Sequence, residues 1–318
     1  MIRYDSSASG CAELGPGAWR YDLAVAYRIY PRVSKPAVSL PFGDDKLRQA
    51  EICLRSFRNS LGSLRVKVWA ILDGCPREFR ELFQRYFAPE DLVLIEVDGI
   101  GNQATYAKQL DILLSQGDAG VVYLAEDDYL YLPEQFPLML RFLRDGQGVD
   151  FVTPYDHPDC YQLDLHREPE WVTVFEGHHW RTAASTCLTF LTRKSTLARY
   201  ESTLRTYSRG NNDCAVWLSL TKRRVFNPLA PLRFFAKGEF YWKIFVQAWL
   251  FCWRQIVFGR AARLWVPLPG LATHLAAGLL SPCVDFLALM RAEELGRQCG
   301  MGDVPGILRE SFDSPRQL

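Results

Sequence analysis

Along the first 125 residues, apolar positions switch repeatedly between a strand pattern and a helical one. YDLAVAYRIY (Tyr21–Tyr30) reads as a strand and runs into a polar, Pro-rich loop. Leu47, Ala50, Leu54, Phe57 and Leu61 then recur at helical spacing within residues 44–61. RVKVWAILDG (Arg65–Gly74) is a second strand closing in a turn, and PREFRELFQRYF opens with Pro76, a residue suited to a first helical turn. DLVLIEV (Asp91–Val97), NQATYAKQLDILLSQ (Asn102–Gln116) and AGVVYLA (Ala119–Ala125) continue as strand, helix and strand. Alternation with short connections predicts an α/β fold with a mostly parallel central sheet flanked by helices. Beyond Phe151 the pattern loosens. WVTVFEG and STCLTFLT are expected strands flanking a polar insert, GHHWRTAA, with helix STLARYESTLRTY and then NNDCAVWLSLTKRR after them.

Ligands of open α/β sheets bind beyond the carboxyl ends of the strands. Three of those ends carry polar side chains here: Arg28 and Tyr30 after the first strand, Asp73 after the second, and Glu126, Asp127 and Asp128 after the fourth. Three adjacent acids at the mouth of a buried strand are unfavourable unless a cation or polar ligand lies against them. Hard oxygen donors suit Mg²⁺ or Mn²⁺, which take one or two carboxylates together with substrate phosphates. The bland alternatives are a solvated turn with Asp127 or Asp128 capping the helix expected near Pro133, and a plain turn role for Asp73.

Composition narrows the classes. The chain has 318 residues, 48% hydrophobic and 23% charged, enough for one large domain, and its net charge of +1 gives no global attraction for nucleic acid. Nine cysteines without CxxC pairs suggest a reducing, cytoplasmic setting. The first residues, MIRYDSSASGCAELGPGAW, contain no apolar core segment, so they read as a loose tail and not as a secretory signal.

In these strand-end residues the sequence resembles the GT-A glycosyltransferases, especially their family-2-like members, over roughly residues 20–220. The resemblance implies that Asp128 holds the metal bridging the two phosphates of a nucleotide-sugar, while Glu126 and Asp127 face the ribose and sugar. It places Tyr27, Arg28 and Tyr30 against the nucleotide, Asp73 of ILDG on the base, and Asn102, Thr105 and Lys108 of GIGNQATYAKQ along the nucleotide. The Asn that usually follows the first-strand Tyr is missing, and Cys75 replaces a small polar residue. No Gln-x-x-Arg-Trp motif occurs, which argues against a processive synthase. The implied chemistry is sugar transfer from a nucleotide-diphosphate sugar to a hydroxyl of a glycan or lipid-linked acceptor, with Mn²⁺ or Mg²⁺ as cofactor. Asp213, in RGNNDCAVWLSL, is the candidate general base of an inverting reaction, with Glu176 in reserve; a helix-start acid is its plainer reading. His178, His179, Trp180 and Arg181 are candidates for the acceptor side, and His274 for a second metal ligand or a core histidine. The rival readings are a nucleotidyltransferase acting on sugar phosphates and an inert scaffold of the same fold.

The segment EFYWKIFVQAWLFCWRQIVFG (Glu239–Gly259) is long enough to span a bilayer, but its Glu, Lys and Arg cost roughly 2.5–3.5 kcal/mol each inside one, so spanning is not expected. It reads either as a helix on the membrane–water interface through residues 239–265, or as a packed helix or dimer contact. The organisation expected is a tail over 1–20, a catalytic domain over 21–232 (donor half 21–130, acceptor half 131–232), a helical aromatic and basic region over 233–295, and a tail over 296–318. The protein is expected in the cytoplasm, or on the inner face of its membrane.

Overall fold

A computed structural model describes residues 19–33, 45–163, 166, 170–227, 235–236 and 239–291. The expected tails therefore fall outside the described residues, apart from Trp19 and Arg20. The donor half follows the alternation read from the sequence: β1 (Leu23–Ile29), α1 (Lys46–Ser60), β2 (Val66–Asp73), α2 (Arg77–Tyr86), β3 (Leu92–Val97), α3 (Gly101–Ser115) and β4 (Val121–Glu126). After it come β5 (Tyr129–Tyr131), α4 (Phe136–Asp145), β6 (Phe151–Val152), a single turn α5 (Asp159–Gln162), β7 (Val172–Phe175), β8 (His178–Ala183), β9 (Phe190–Arg193), α6 (Lys194–Leu204) and α7 (Asp213–Thr221). The chain then forms α8 (Glu239–Phe258), β10 (Leu264–Leu268) and β11 (Ala272–His274).

Nine strands form one sheet in the order β3-β2-β1-β4-β9-β6-β10-β8-β7. Strands β3, β2, β1 and β4 are mutually parallel, and only β9 and β8 oppose the common direction. Helices cover both faces. Alternate residues of β1 divide between them: Leu23, Val25, Tyr27 and Ile29 enter the core beneath α1, α2 and α4. Ala24 and Ala26 enter the core beneath α3, α6 and α7. Gln109 of α3 pins this arrangement, since its Nε2 donates to the carbonyls of Ala26 (2.7 Å) and Ala125 (2.9 Å).

The second half departs from the expected pattern. The insert GHHWRTAA is itself a strand, β8, forming a hairpin with β7 around Glu176 and Gly177, both in the left-handed region. The strand expected over STCLTFLT begins only at Phe190. The region 233–295 is not purely helical, because β10 enters the main sheet between β6 and β8. β11 pairs with β5 in a second, two-stranded sheet.

Candidate active site at the carboxyl ends of β1 and β4

Following β1, the chain moves outward through β2 and β3 and then returns as β4 on the other side of β1. The sheet's connections reverse there, which leaves a crevice beyond the two strand ends. The polar residues of β1 and β4 face that crevice.

Strand parity decides the first pairing. Arg28 lies on the Ala24–Ala26 face and is the register partner of Glu126, whose parity matches Val122 and Leu124. The two therefore point the same way, and Arg28 Nη2 pairs with Glu126 Oε1. Arg28 also donates to the Asn102 carbonyl at 2.9 Å and to its side-chain oxygen, and lies 5.9 Å over the Tyr106 ring. The network extends on both sides. Asn102 Nδ2 donates to the Tyr207 hydroxyl at 2.8 Å, and the Thr189 hydroxyl donates to Glu126 Oε2 at 2.6 Å.

Asp127 Oδ2 accepts the Tyr30 N–H at 3.1 Å and pairs with Lys46 Nζ at 2.9 Å. Burial raises the Asp127 pKa, and the nearby Lys46 ammonium only partly opposes it. Asp128 Oδ2 lies 2.8 Å from His274 Nε2. Although burial works against its charge, the His274 imidazole and the bond to it hold the carboxyl down at about 2. β11 delivers this histidine: His274 is the register partner of Tyr129, and the Leu275 N–H donates to the Asp128 carbonyl at 2.8 Å. Each of the three acids thus has one basic partner, but only Asp128 is matched to a side chain that easily gives up its proton.

A divalent cation fits Asp128 and His274. Asp128 Oδ1 is buried without a hydrogen-bond partner, an orphan acceptor that costs free energy unless something positive meets it. Among the described residues no group of three or more His, Cys, Asp or Glu side chains could hold a metal. Asp128 and His274 would give such a cation one carboxylate and one imidazole, and phosphate oxygens and water would complete its shell.

Asp213 opens α7, following Asn212, which caps the helix by accepting the Cys214 N–H at 2.9 Å. It lines a cavity of about 100 Å³ with His157, Asp159, Cys160, His166 and Asn212. Burial, together with the Asp213 and Glu126 carboxylates, raises the Tyr207 pKa against the field of Arg28. Tyr207 therefore lies within the electrostatic reach of both Glu126 and Asp213. A larger cavity, about 480 Å³, lies among Arg20, Arg58, Arg65 and Tyr86 at the opposite end of β1 and β2 and contains none of the expected site residues.

Several expected roles change. Tyr27 is buried between Phe57 and Phe83, at ring separations of 5.5 and 5.2 Å, on the face away from Arg28. Asp73 is 2% exposed, and its carboxylate accepts the Ile100 and Gly101 N–H groups at 2.7 and 2.8 Å, which clamps the start of α3. Thr105 is buried and donates to the Gly101 and Asn102 carbonyls, both at 3.0 Å, and Lys108 is half-buried on α3. Tyr30 has its backbone on Asp127 and its ring exposed.

On the acceptor side, Trp180 is fully buried and stacks on Phe142 with centroids 3.9 Å apart, so it is a core residue. Arg181 is buried between Asp156 and Glu170, each at 2.7 Å. His178 and His179 begin β8, which stands four strand positions from β4, about 19 Å across the sheet. Glu176, the reserve base, is exposed in the β7–β8 turn and is held by Arg141 at 2.7 Å. None of these five residues joins the crevice beyond β1 and β4.

Lys46, Thr189, Tyr207, His157 and His166 were not singled out in the sequence. Lys46 left one signal: a lysine in the first turn of a helix opposes the helix dipole, so it needs another reason to be there.

No protein-family model matches the sequence, and no curated protein sequence is similar to it. Solved structures resemble it weakly. A Desulfovibrio desulfuricans G20 protein named for nucleotide-diphospho-sugar transfer is 13% identical, with a TM-score of 0.39 over 63% of this chain and 75% of that one. S. aureus TarS 1-349 in complex with UDP is 10% identical, with a TM-score of 0.40 over 62% of this chain and 54% of that one. The galactosyltransferase LgtC with donor and acceptor sugar analogues is 13% identical, with a TM-score of 0.39 over 92% of this chain and all of that one.

Proposed function

We propose that the protein transfers a glycosyl group from a nucleotide-diphosphate sugar to a hydroxyl acceptor, with Mn²⁺ or Mg²⁺ held at Asp128 and His274. One observation carries the reading. At the reversal point of the sheet, a half-buried, ionised carboxylate with a buried orphan oxygen is paired with a histidine brought from 146 positions away. The bound cation supplies neutralisation of the charge that develops on the departing nucleotide diphosphate.

The chain's own residues do the rest. The buried Arg28 ties Asn102 and Glu126 into one network that holds the nucleotide side of the crevice rigid, so little ordering remains to be done on binding. Lys46 fixes the Asp127 carboxylate and the Tyr30 backbone on the other side. Asp213, in the first turn of α7, takes the proton from the acceptor hydroxyl. The small cavity beside it borders the acceptor position. Displacement with Asp213 as base inverts the anomeric centre and adds one sugar per encounter.

The test is a melting-temperature screen of UDP-, GDP-, CDP- and dTDP-sugars with and without Mn²⁺, followed by product analysis. A ligand at a hundred times its Kd should add about 2.7 kcal/mol of stability. Asp128→Asn should abolish the Mn²⁺-dependent rise, while Asp213→Asn should keep the rise and lose turnover. If no nucleotide-sugar raises the melting temperature of the parent protein, the proposal is wrong. Pyrophosphate release from a nucleoside triphosphate and a sugar phosphate would instead establish the nucleotidyltransferase reading.

A further inference from the structure

Helix α8 packs on α7 through Ile244, Ala248 and Ile256, so one of its faces is already used by the core. The opposite face is apolar too. Trp242, Val246, Leu250, Trp253, Val257 and Phe258 are all exposed, Leu250 at 69% and Phe258 at 77%. Trp242, Val246, Leu250, Trp253 and Val257 are spaced by three and four residues, which sets them on one side of the helix to either side of a kink at Cys252, and Phe258 follows at its end. Together they show on the order of 600 Å², as much apolar surface as a soluble monomer tolerates in one patch. Trp249, by contrast, turns inward, with its Nε1 donating to the Val225 carbonyl at 3.2 Å.

Charge points to the occupant. From Lys222 to Leu268 the sequence carries nine lysines and arginines against one acid, Glu239, a local charge of +8 in a chain whose total is +1. The remainder of the protein is therefore acidic by 7, so positive charge is concentrated in the stretch of sequence that contains α8. Lys243 and Arg254 are exposed on α8 beside the stripe, with Arg254 5.5 Å over the Trp253 ring, and Arg260 follows the helix. No helix among the described residues is long and apolar enough to cross a membrane. Exposed tryptophans, aliphatic side chains and a basic rim suit a bilayer surface carrying anionic lipid, with the helix lying in its plane. A second copy of the chain would bring the same positive charge against itself.

We infer that α8 is a docking face for an anionic membrane surface, held through Leu250, Trp253 and Phe258 with Lys243 and Arg254 at the rim. It requires no particular reaction of the catalytic site. The test is co-sedimentation of the full chain with vesicles of phosphatidylcholine alone and with added phosphatidylglycerol, with oligomeric state read in parallel by light scattering. The parent protein should pellet with the anionic vesicles, much less with the neutral ones, and less again as salt is raised. A Leu250→Glu, Trp253→Glu variant should melt with the parent, since both side chains are exposed, and should stay in solution. Val174→Glu, at an exposed apolar position on β7, should pellet like the parent. The inference fails if the parent ignores anionic vesicles, if all three proteins pellet alike, or if the parent is a dimer that the double variant dissolves without any vesicle binding.

Discussion

Replacing Asp73 by Asn separates a base-contacting residue from a structural clamp. Asp73 ends β2, where Gly74 turns back with φ +64° and donates to the Val97 carbonyl at 2.7 Å. The Ile100 and Gly101 N–H groups converge on the carboxylate from the start of α3. A carboxamide offers one acceptor oxygen, so its NH₂ group must face one of these two donors. A charge-assisted hydrogen bond is worth about 1.5–3 kcal/mol, and a buried N–H left unpaired costs about 1–3 kcal/mol. Because part of the second loss is already contained in the first, about 2–4 kcal/mol is expected in total. For a chain of this size that lowers the melting temperature by roughly 4–10 °C. Urea unfolding and a thermal scan measure it, and a nucleotide-sugar titration well below the melting range should give an affinity close to the parent's. An unchanged melting temperature combined with a collapse in nucleotide affinity would refute the clamp and restore the direct base contact.

Two further outcomes follow from the same geometry. Trp180→Ala should destabilise the protein by about 3–5 kcal/mol, as expected for an emptied aromatic core site, whereas Trp180→Phe should keep both most of the stability and the acceptor KM; a raised KM in the Phe variant would return Trp180 to the acceptor side. Burial lowers the His166 pKa from 6.5 to about 4, so the unfolded chain takes up a proton there before the folded one does. Stability from this group is complete above pH 6.5 and falls by about 3 kcal/mol as the pH drops to 4. Urea midpoints of the parent and of His166→Gln should therefore converge with acidification, and parallel curves would count against a buried neutral imidazole.

Much of the donor half was legible because its signals are local. The alternation of Leu23, Val25, Tyr27 and Ile29 with Ala24, Ala26 and Arg28 is a property of the strand alone. The same parity in β4 aimed Glu126 at Arg28's side, and helical spacing placed Asn102 at the start of α3 within reach of Arg28. Tyr27 shows the cost of reading the strand end as a block: its parity assigned it to the core, opposite its neighbour Arg28.

The acceptor half was less legible because its strands are short and are completed by distant partners. β8 looked like a polar loop since His178, His179 and Arg181 interrupt the apolar pattern, yet β10 pairs along it and Asp156 and Glu170 neutralise the buried arginine. The sequence by itself determined the alternating α/β order, the acids beyond β4 and the basic, aromatic character of α8. Only the tertiary structure decided which acid meets which base, because the Arg28–Glu126, Lys46–Asp127 and Asp128–His274 pairs join residues 98, 81 and 146 positions apart. Local periodicity carries no record of such pairings; they come from the strand order and from β11 closing over β5.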